Sequence, residues 1–279
     1  MRHHTTQKID NLNAFKEKVL NYCKPHKYSC VLDSNGLKPA KDIGDYEFIA
    51  AFGCASKLEL NSNCFKGLEE FHNQNQDWIF GGFSYELKNE LHHLESNNKA
   101  VVDFPNLFFF QPKTVICIER NDLNTAHFYT LHHPFVWNTK DKVMVQEATE
   151  VVFKTIMEKE EYLENVRTVI DQIEEGTFYE LNLCQEFLAS EAIIDPIDVY
   201  KRLSSHSPTP FAAYLRWRNN HLMSASPERY LHKKEDVVSS QPIKGTKRRS
   251  EDTDKDEALK LDLQNDEKER AENVMIVDL

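Results

Sequence analysis

No stretch of this chain approaches the roughly twenty consecutive apolar residues that a bilayer-spanning helix needs. Its opening, MRHHTTQKID, has no apolar signal-peptide segment. A basic surplus is missing too: 34 Lys and Arg stand against 45 Asp and Glu, a formal net charge of -11. Without a global positive field, neither nucleic acid nor an anionic membrane is favoured as a partner. The six cysteines, at 23, 30, 54, 64, 117 and 184, form no CxxC pair and no Cys/His spacing of a zinc site. Twelve histidines include no HExxH, and His92-His93 and His132-His133 are adjacent pairs that point apart. Walker A, GxGxxG and GxSxG patterns are also absent. These absences set aside membrane, zinc, nucleotide and serine-hydrolase readings and leave a cytoplasmic globular protein with reduced structural thiols as the expectation.

What is present is enough for a large core. The 279 residues are 40% apolar, which suits one large domain or two ordinary ones. Residues 1 to about 22 read as helical, with Ile9, Leu12, Phe15, Val19 and Leu20 apolar. Cys30 to Leu32 begins a strand that ends in the turn Asp33-Ser34-Asn35-Gly36. Strands are predicted at 46–52, 78–85, 106–110 and 113–118, with a short helix at 87–94. A polar stretch after residue 134 marks a boundary, giving an N-terminal domain of residues 1–145 and a second domain of 146–279.

In the second part, Tyr162, Val166, Val169, Ile170 and Ile173 share a helix face that Gly176 can end in a left-handed cap. Residues 178–187 switch to period two and read as a strand, with Tyr179, Leu181 and Leu183 opposite Glu180 and Asn182. Asp195-Pro196 is an N-cap and N1 pair for a helix through Leu203. Short strands follow at 211–217, 221–226, 230–232 and 237–243, an antiparallel meander and not a parallel βαβ sheet. Thr253 with Asp256 resembles a capping box, and a further helix opens near Asp266. An apolar helix ending at Val277-Asp278-Leu279 without a cap reads as a truncated one.

Three clusters could carry chemistry. Ser226-Pro227-Glu228-Arg229-Tyr230 puts a carboxylate between two strands. Gln241 to Thr246 (QPIKGT) puts Lys244 at the end of an apolar strand before a glycine, where backbone can approach a ligand and a half-buried amine can act as nucleophile. Asp266 to Asn273 is a charged helix start in which Glu272 lies on a partly apolar stripe with Ile276 and Leu279. A magnesium ion, which takes hard oxygen ligands, would compensate such a carboxylate. Taken singly, the three read as a surface turn, a solvated lysine and a salt-bridged helix.

Taken together, GTFYELNL at 176–183, SPER at 226–229, PIKGT at 242–246 and DEKERAENVMIVDL at 266–279 resemble, in order, the motifs of the chorismate-binding enzymes, the family of anthranilate, isochorismate and aminodeoxychorismate synthases. Val31 to Ser34 resembles that family's effector-site strand and WIFGGFSYELKN at 78–89 its N-terminal signature. The resemblance implies an α+β fold, an antiparallel β-sandwich flanked by helices, incomplete at the C-terminus. Lys244 before Gly245 resembles the aminodeoxychorismate synthase component I branch, where anthranilate synthases carry alanine.

That branch implies the reaction of chorismate with ammonia to give 4-amino-4-deoxychorismate for p-aminobenzoate and folate synthesis, with ammonia supplied from glutamine by a separate amidotransferase subunit. Lys244 would attack C2 of chorismate and expel the C4 hydroxyl, and Glu228 would protonate that hydroxyl as it leaves. Gly245, Thr246 and Glu180 would contact substrate, Glu272 would hold Mg2+, and Asp33, Ser34, Pro210 and Phe211 would line an effector pocket suited to tryptophan. Glu180 in place of the water-activating lysine of isochorismate-forming enzymes argues against water as nucleophile. The family's second magnesium-binding glutamate, its carboxylate-binding loop and a substrate arginine would fall beyond Leu279, so a polypeptide ending there is expected to be inactive. The competing readings are anthranilate synthase component I and a non-catalytic effector-binding or interaction protein.

Overall fold

The computed structural model describes residues 1–37, 44–97, 100–137 and 149–278. In chain order the elements are β1 (His3–Lys8), α1 (Leu12–Cys23), β2 (Tyr28–Asp33), β3 (Tyr46–Leu60), α2 (Cys64–Asn75), β4 (Phe80–Phe83), α3 (Lys88–His92), β5 (Leu107–Glu119) and β6 (Asp122–Thr130). They continue with β7 (Lys154–Thr155), α4 (Lys159–Glu174), β8 (Phe187–Leu188), α5 (Pro196–His206), β9 (Phe211–Trp217), β10 (Asn220–Ser226), β11 (Arg229–Lys234), β12 (Val237–Gln241), α6 (Thr253–Asn265) and α7 (Glu267–Asp278).

Two compact units result. Met1–Asp141 together with Tyr200–Leu279 forms one, and Lys142–Val199 forms the other. The division at residue 145 expected from sequence follows the motifs, whereas compactness returns the chain after residue 200 to the first unit. The reason is one long-range strand pair: β9 lies antiparallel to β2, from Tyr28 opposite Trp217 to Asp33 opposite Ala212.

The first unit is built on an eight-stranded antiparallel sheet in the order β1-β6-β5-β3-β2-β9-β10, with β4 also paired to β5. β11 and β12 form a separate two-stranded ribbon. Strands β2, β3 and β5 read Tyr-Ser-Cys-Val-Leu-Asp, a run opening Tyr-Glu-Phe-Ile-Ala-Ala-Phe, and a run holding Val115-Ile116-Cys117-Ile118; Val31, Ala50, Ala51 and those four are all fully buried. Side chains alternate between faces along a strand, so consecutive buried residues mean that both faces of the central sheet are covered. The face carrying Phe108, Phe110, Val115, Cys117 and Leu215 centres on Trp217, whose ring lies 5.2 Å from Phe108 and 5.0 Å from Tyr28. Its indole N–H donates to Glu59 Oε1 at 3.1 Å, which satisfies the polar handle of a ring that is otherwise buried.

Several local expectations hold. Asn35 and Gly36 take left-handed φ of 53° and 70° in the predicted turn. Gly176, at φ +77°, ends α4, and the Thr177 N–H returns to the Gln172 carbonyl at 2.9 Å. Asp195 Oδ1 accepts from the Ile197 N–H at 3.0 Å ahead of α5.

Others are corrected. His3–Lys8 is a strand and not the start of a helix: six exposed polar residues pair with β6 through the backbone ladder and polar side-chain contacts, so no hydrophobic period announced them. Residues 178–186 are irregular: a period-two pattern becomes a strand where a ladder forms, and among the described residues the ladder with β7 covers Phe187–Leu188. The cap of α6 is Asp252, one residue before the predicted Thr253, and it accepts from the Lys255 N–H at 2.9 Å. The six cysteines are free thiols, and burial pushes those of Cys30 and Cys117 up to about 12.

Because Trp217 joins the packed face to the β2–β9 pair, Trp217→Ala should cost about 3–5 kcal/mol of unfolding free energy. Urea denaturation followed by circular dichroism measures it, and a loss below about 1 kcal/mol would show that the site collapses without a cavity.

Candidate active site and a second pocket

Lys244 follows the last residues of β12, and Glu228 precedes β11. The two-stranded ribbon closes on itself with Arg229 opposite Gln241, so residues fifteen apart in sequence become neighbours at its open end. There the Ile243 N–H donates to Glu228 Oε2 at 3.2 Å. Glu228 is exposed, and its backbone is held by Ser226, whose Oγ donates to the Glu228 carbonyl at 3.0 Å.

A third segment meets this end. Asp266 caps α7, its Oδ1 accepting from the N–H groups of Lys268 and Glu269 at 3.1 and 3.2 Å. One turn into the helix, Glu269 packs against Gly245. Gly245 has φ +76°, and a Cβ there would lie 3.2 Å from Glu269 Cβ and Cδ. The left-handed backbone favours glycine at this point, and the close approach of Glu269 adds to that preference. A further turn along α7, Glu272 Oε1 lies 3.8 Å from Lys244 Nζ, with the two side chains 34% and 24% exposed. Beside them is a cavity of about 300 Å³ lined by Lys244, Leu263, Gln264, Glu269, Arg270 and Asn273, among others. Lys244, Gly245, Glu228 and Glu272 therefore gather from three separate segments. Thr246 follows on the exposed side. Glu180 belongs to the Lys142–Val199 unit, where it is exposed.

Among the described residues no group of three or more His, Cys, Asp or Glu is arranged to hold a metal ion. The donor chemistry still suits magnesium. That ion takes hard oxygen ligands and is commonly anchored by one or two carboxylates, with water and substrate oxygens completing its shell. Glu272 is one such carboxylate, and Glu269, Gln264 and Asn273 are the other oxygen-bearing side chains beside it.

The β2–β9 pair builds a different site. It sets Asp33 opposite Ala212, and Asp33, Ser34, Pro210 and Phe211 line a single cavity of about 370 Å³ together with Glu47, Arg120 and Arg229. The Arg229 guanidinium carbon stands 4.8 Å above the Phe211 ring. Its floor is a charged cluster that the sequence reading missed. Lys16 Nζ contacts Asp33 Oδ1 at 2.7 Å and Glu47 Oε1 at 2.8 Å, and all three side chains are buried to 10% exposure or less. Glu47 also accepts from the Ser34 hydroxyl and from the Gly36 N–H. Burial alone would raise the Glu47 carboxyl, but these hydrogen bonds and the Lys16 charge hold it below its ordinary value of 4.5. A signal existed: Lys16 sits on the same α1 stripe as Leu12, Phe15, Val19, Leu20 and Cys23, and a cation inside an apolar stripe demands a buried anion.

An antiparallel sheet, a lysine and carboxylate site at a ribbon end, and a separate polar pocket are the features to set beside known enzymes. The chorismate binding enzyme family model matches residues 36–279. Anthranilate synthase component I of Streptococcus pneumoniae superposes with a TM-score of 0.68 at 18% identity, covering 87% of this chain and 62% of that one. The menaquinone-specific isochorismate synthase of Escherichia coli gives 0.65 at 12% identity, covering 100% and 62%. By sequence, aminodeoxychorismate synthase component 1 of Escherichia coli is 30% identical over 182 residues, 64% of this chain and 38% of that protein. Anthranilate synthase component 1 1 of Haloarcula marismortui is 38% identical over 133 residues, 48% of this chain and 27% of that protein. The chain spans less than half the length of these curated relatives. It belongs to the chorismate-binding enzyme family and has the mixed α/β, antiparallel-sheet fold of anthranilate synthase component I. Among the described residues no helix is long and apolar enough to cross a membrane.

Removing the Lys16 charge would leave two carboxylates buried without their cation. Lys16→Met should therefore cost about 3–5 kcal/mol at neutral pH. A carboxyl held low in the folded state stabilises it above 4.5, and that contribution is lost as pH falls through the folded value. The deficit of the variant, measured by urea melts from pH 7 to pH 3.5, should accordingly shrink below about pH 4.5. A deficit that is constant over this range would contradict the buried ion cluster.

Proposed function

We propose that this chain carries the chorismate-aminating site of an aminodeoxychorismate synthase component I. The reading rests on one observation: an amine, a carboxylate and a second carboxylate from three segments converge, with Lys244 3.8 Å from Glu272 and the neighbouring Ile243 N–H on Glu228 at 3.2 Å.

Lys244 supplies a nucleophile on a flexible stem beside a cavity, attacking C2 of chorismate. Both ring double bonds shift, C1=C2 to C1=C6 and C5=C6 to C4=C5, as the C4 hydroxyl departs. Hydroxide is a poor leaving group, so Glu228 delivers a proton to that oxygen. Ammonia then adds at C4, both double bonds shift back, and the C2–nitrogen bond to Lys244 breaks, giving 4-amino-4-deoxychorismate and free enzyme. Gly245, Thr246 and Glu180 are assigned substrate contacts through their motifs. Magnesium at Glu272, when bound, would hold and polarise a substrate carboxylate. Ammonia comes from glutamine by way of a partner amidotransferase, as the component 1 names of the relatives imply.

The pocket at Asp33, Ser34, Pro210 and Phe211 suits an amino-acid effector such as tryptophan: arginines at 120 and 229 offer a carboxylate partner and the acidic floor offers an amine partner. Anthranilate synthase is the second reading, favoured by the identity of 38% to the Haloarcula protein and opposed by a lysine at 244.

The protein, given chorismate, ammonium and magnesium, should form 4-amino-4-deoxychorismate by liquid chromatography and mass spectrometry. Lys244→Ala should lower that rate by a factor of about 100 or more. Anthranilate as the wild-type product, or amination retained by the variant, would overturn the proposal.

A further inference from the structure

The contact between Lys244 and Glu272 has a second meaning. Both side chains are about two-thirds or more buried, and their charged atoms are 3.8 Å apart. The carboxylate that receives the lysine is the same one that the proposed function gives to magnesium. A magnesium–oxygen bond is about 2.1 Å, so a dication on Glu272 would stand only a few ångströms from an ammonium left in this position. Like charges at that range repel strongly in a partly desolvated site. Each cation therefore weakens the hold of the other on this carboxylate in the arrangement seen.

We infer that Lys244 and the divalent cation compete for Glu272, so that the lysine occupies the carboxylate when the cation is absent and is displaced when it binds. The inference rests on the reading of Glu272 as the cation's anchor. The local geometry says which part moves. Gly245 passes close to Glu269 on one side, while the Ile243 N–H is held by Glu228 on the other. Displacement therefore falls to the four-carbon stem of the lysine, which has the rotamers to make it. The cavity of about 300 Å³ that Lys244 already lines offers the space, and Glu269 on its wall offers a second carboxylate to receive the ammonium. In this scheme the amine is tethered to the helix until the site is loaded, and cation binding is what releases it toward substrate.

Manganese, which resembles magnesium in its ligands and is visible by electron paramagnetic resonance, provides the probe. Its affinity is measured on wild type and on Lys244→Met, Lys244→Gln, Lys244→Arg and Glu272→Gln, each checked by a thermal melt. The neutral variants Met and Gln should bind manganese roughly three- to tenfold more tightly than wild type, the scale of a partly exposed ion pair removed. Arg, which keeps the competing charge, should bind no more tightly. Unchanged affinity in Met and Gln, with binding abolished in Glu272→Gln, would overturn the competition while leaving the anchor in place. Unchanged affinity in Glu272→Gln would remove the anchor, and the competition with it. Should the neutral variants fail to fold, wild type with 13C-dimethylated lysines is titrated with magnesium. A Lys244 resonance that shifts with the manganese-measured midpoint supports displacement, and one that stays fixed through saturation refutes it.

Discussion

The pairing of residues 28–33 with residues 211–217 is the constraint on which the rest of this molecule depends. Nearly two hundred residues separate the two strands, so the loop-closure entropy of joining them is large and must be offset by what the join buries. The offset is visible at both ends of the pair. Trp217 and Leu215 enter the packed face of the sheet, and Tyr214 and Ala212 are buried beside them. Once β9 is in place, β10 pairs with it as a hairpin, and the ribbon of β11 and β12 follows within three residues. The site at Lys244 is thus carried by an element that is itself anchored to the N-terminal sheet.

The same pairing sets two pockets next to each other in sequence. Arg229 lines the pocket around Asp33 and Ser34, while Glu228, the residue before it, accepts from the backbone beside Lys244. Glu228 lies in the bend before β11 and Arg229 opens the strand, so adjacent residues come to serve different sites. The buried cluster of Lys16, Asp33 and Glu47 lies under the first pocket and ties α1, β2 and β3 to one another. A buried ion pair is weak evidence for stability but a strong determinant of geometry, since neither partner can leave without stranding the other.

How much was legible in the sequence depended on whether a feature was local. Gly176, the Asp195-Pro196 cap and the Asp33–Gly36 turn are settled by backbone chemistry within a few residues, and each was readable. The motifs at 226–229, 242–246 and 266–279 were readable as a resemblance, but nothing in their spacing said that the ribbon would bring Glu228 beside Ile243 or that α7 would present Glu272 to Lys244. Features that need a distant partner were missed. His3–Lys8 has no apolar pattern and exists as a strand only because β6 offers its edge. Residues 178–186 have the pattern but form no strand, and pairing with β7 begins only at Phe187. Glu47 looked like one more polar residue in a strand, and only the folded position of Lys16 gives it a reason to be buried.

The central claim is that Lys244 is the amine that bonds to chorismate. Incubation with chorismate and magnesium in the absence of ammonia, followed by rapid acid quench, protease digestion and mass spectrometry, tests it directly. The account predicts an adduct on the peptide containing Lys244, heavier by chorismate less one water, which disappears when ammonium is added before the quench. Turnover of chorismate to the aminated product with no adduct at Lys244 on any timescale sampled would contradict it.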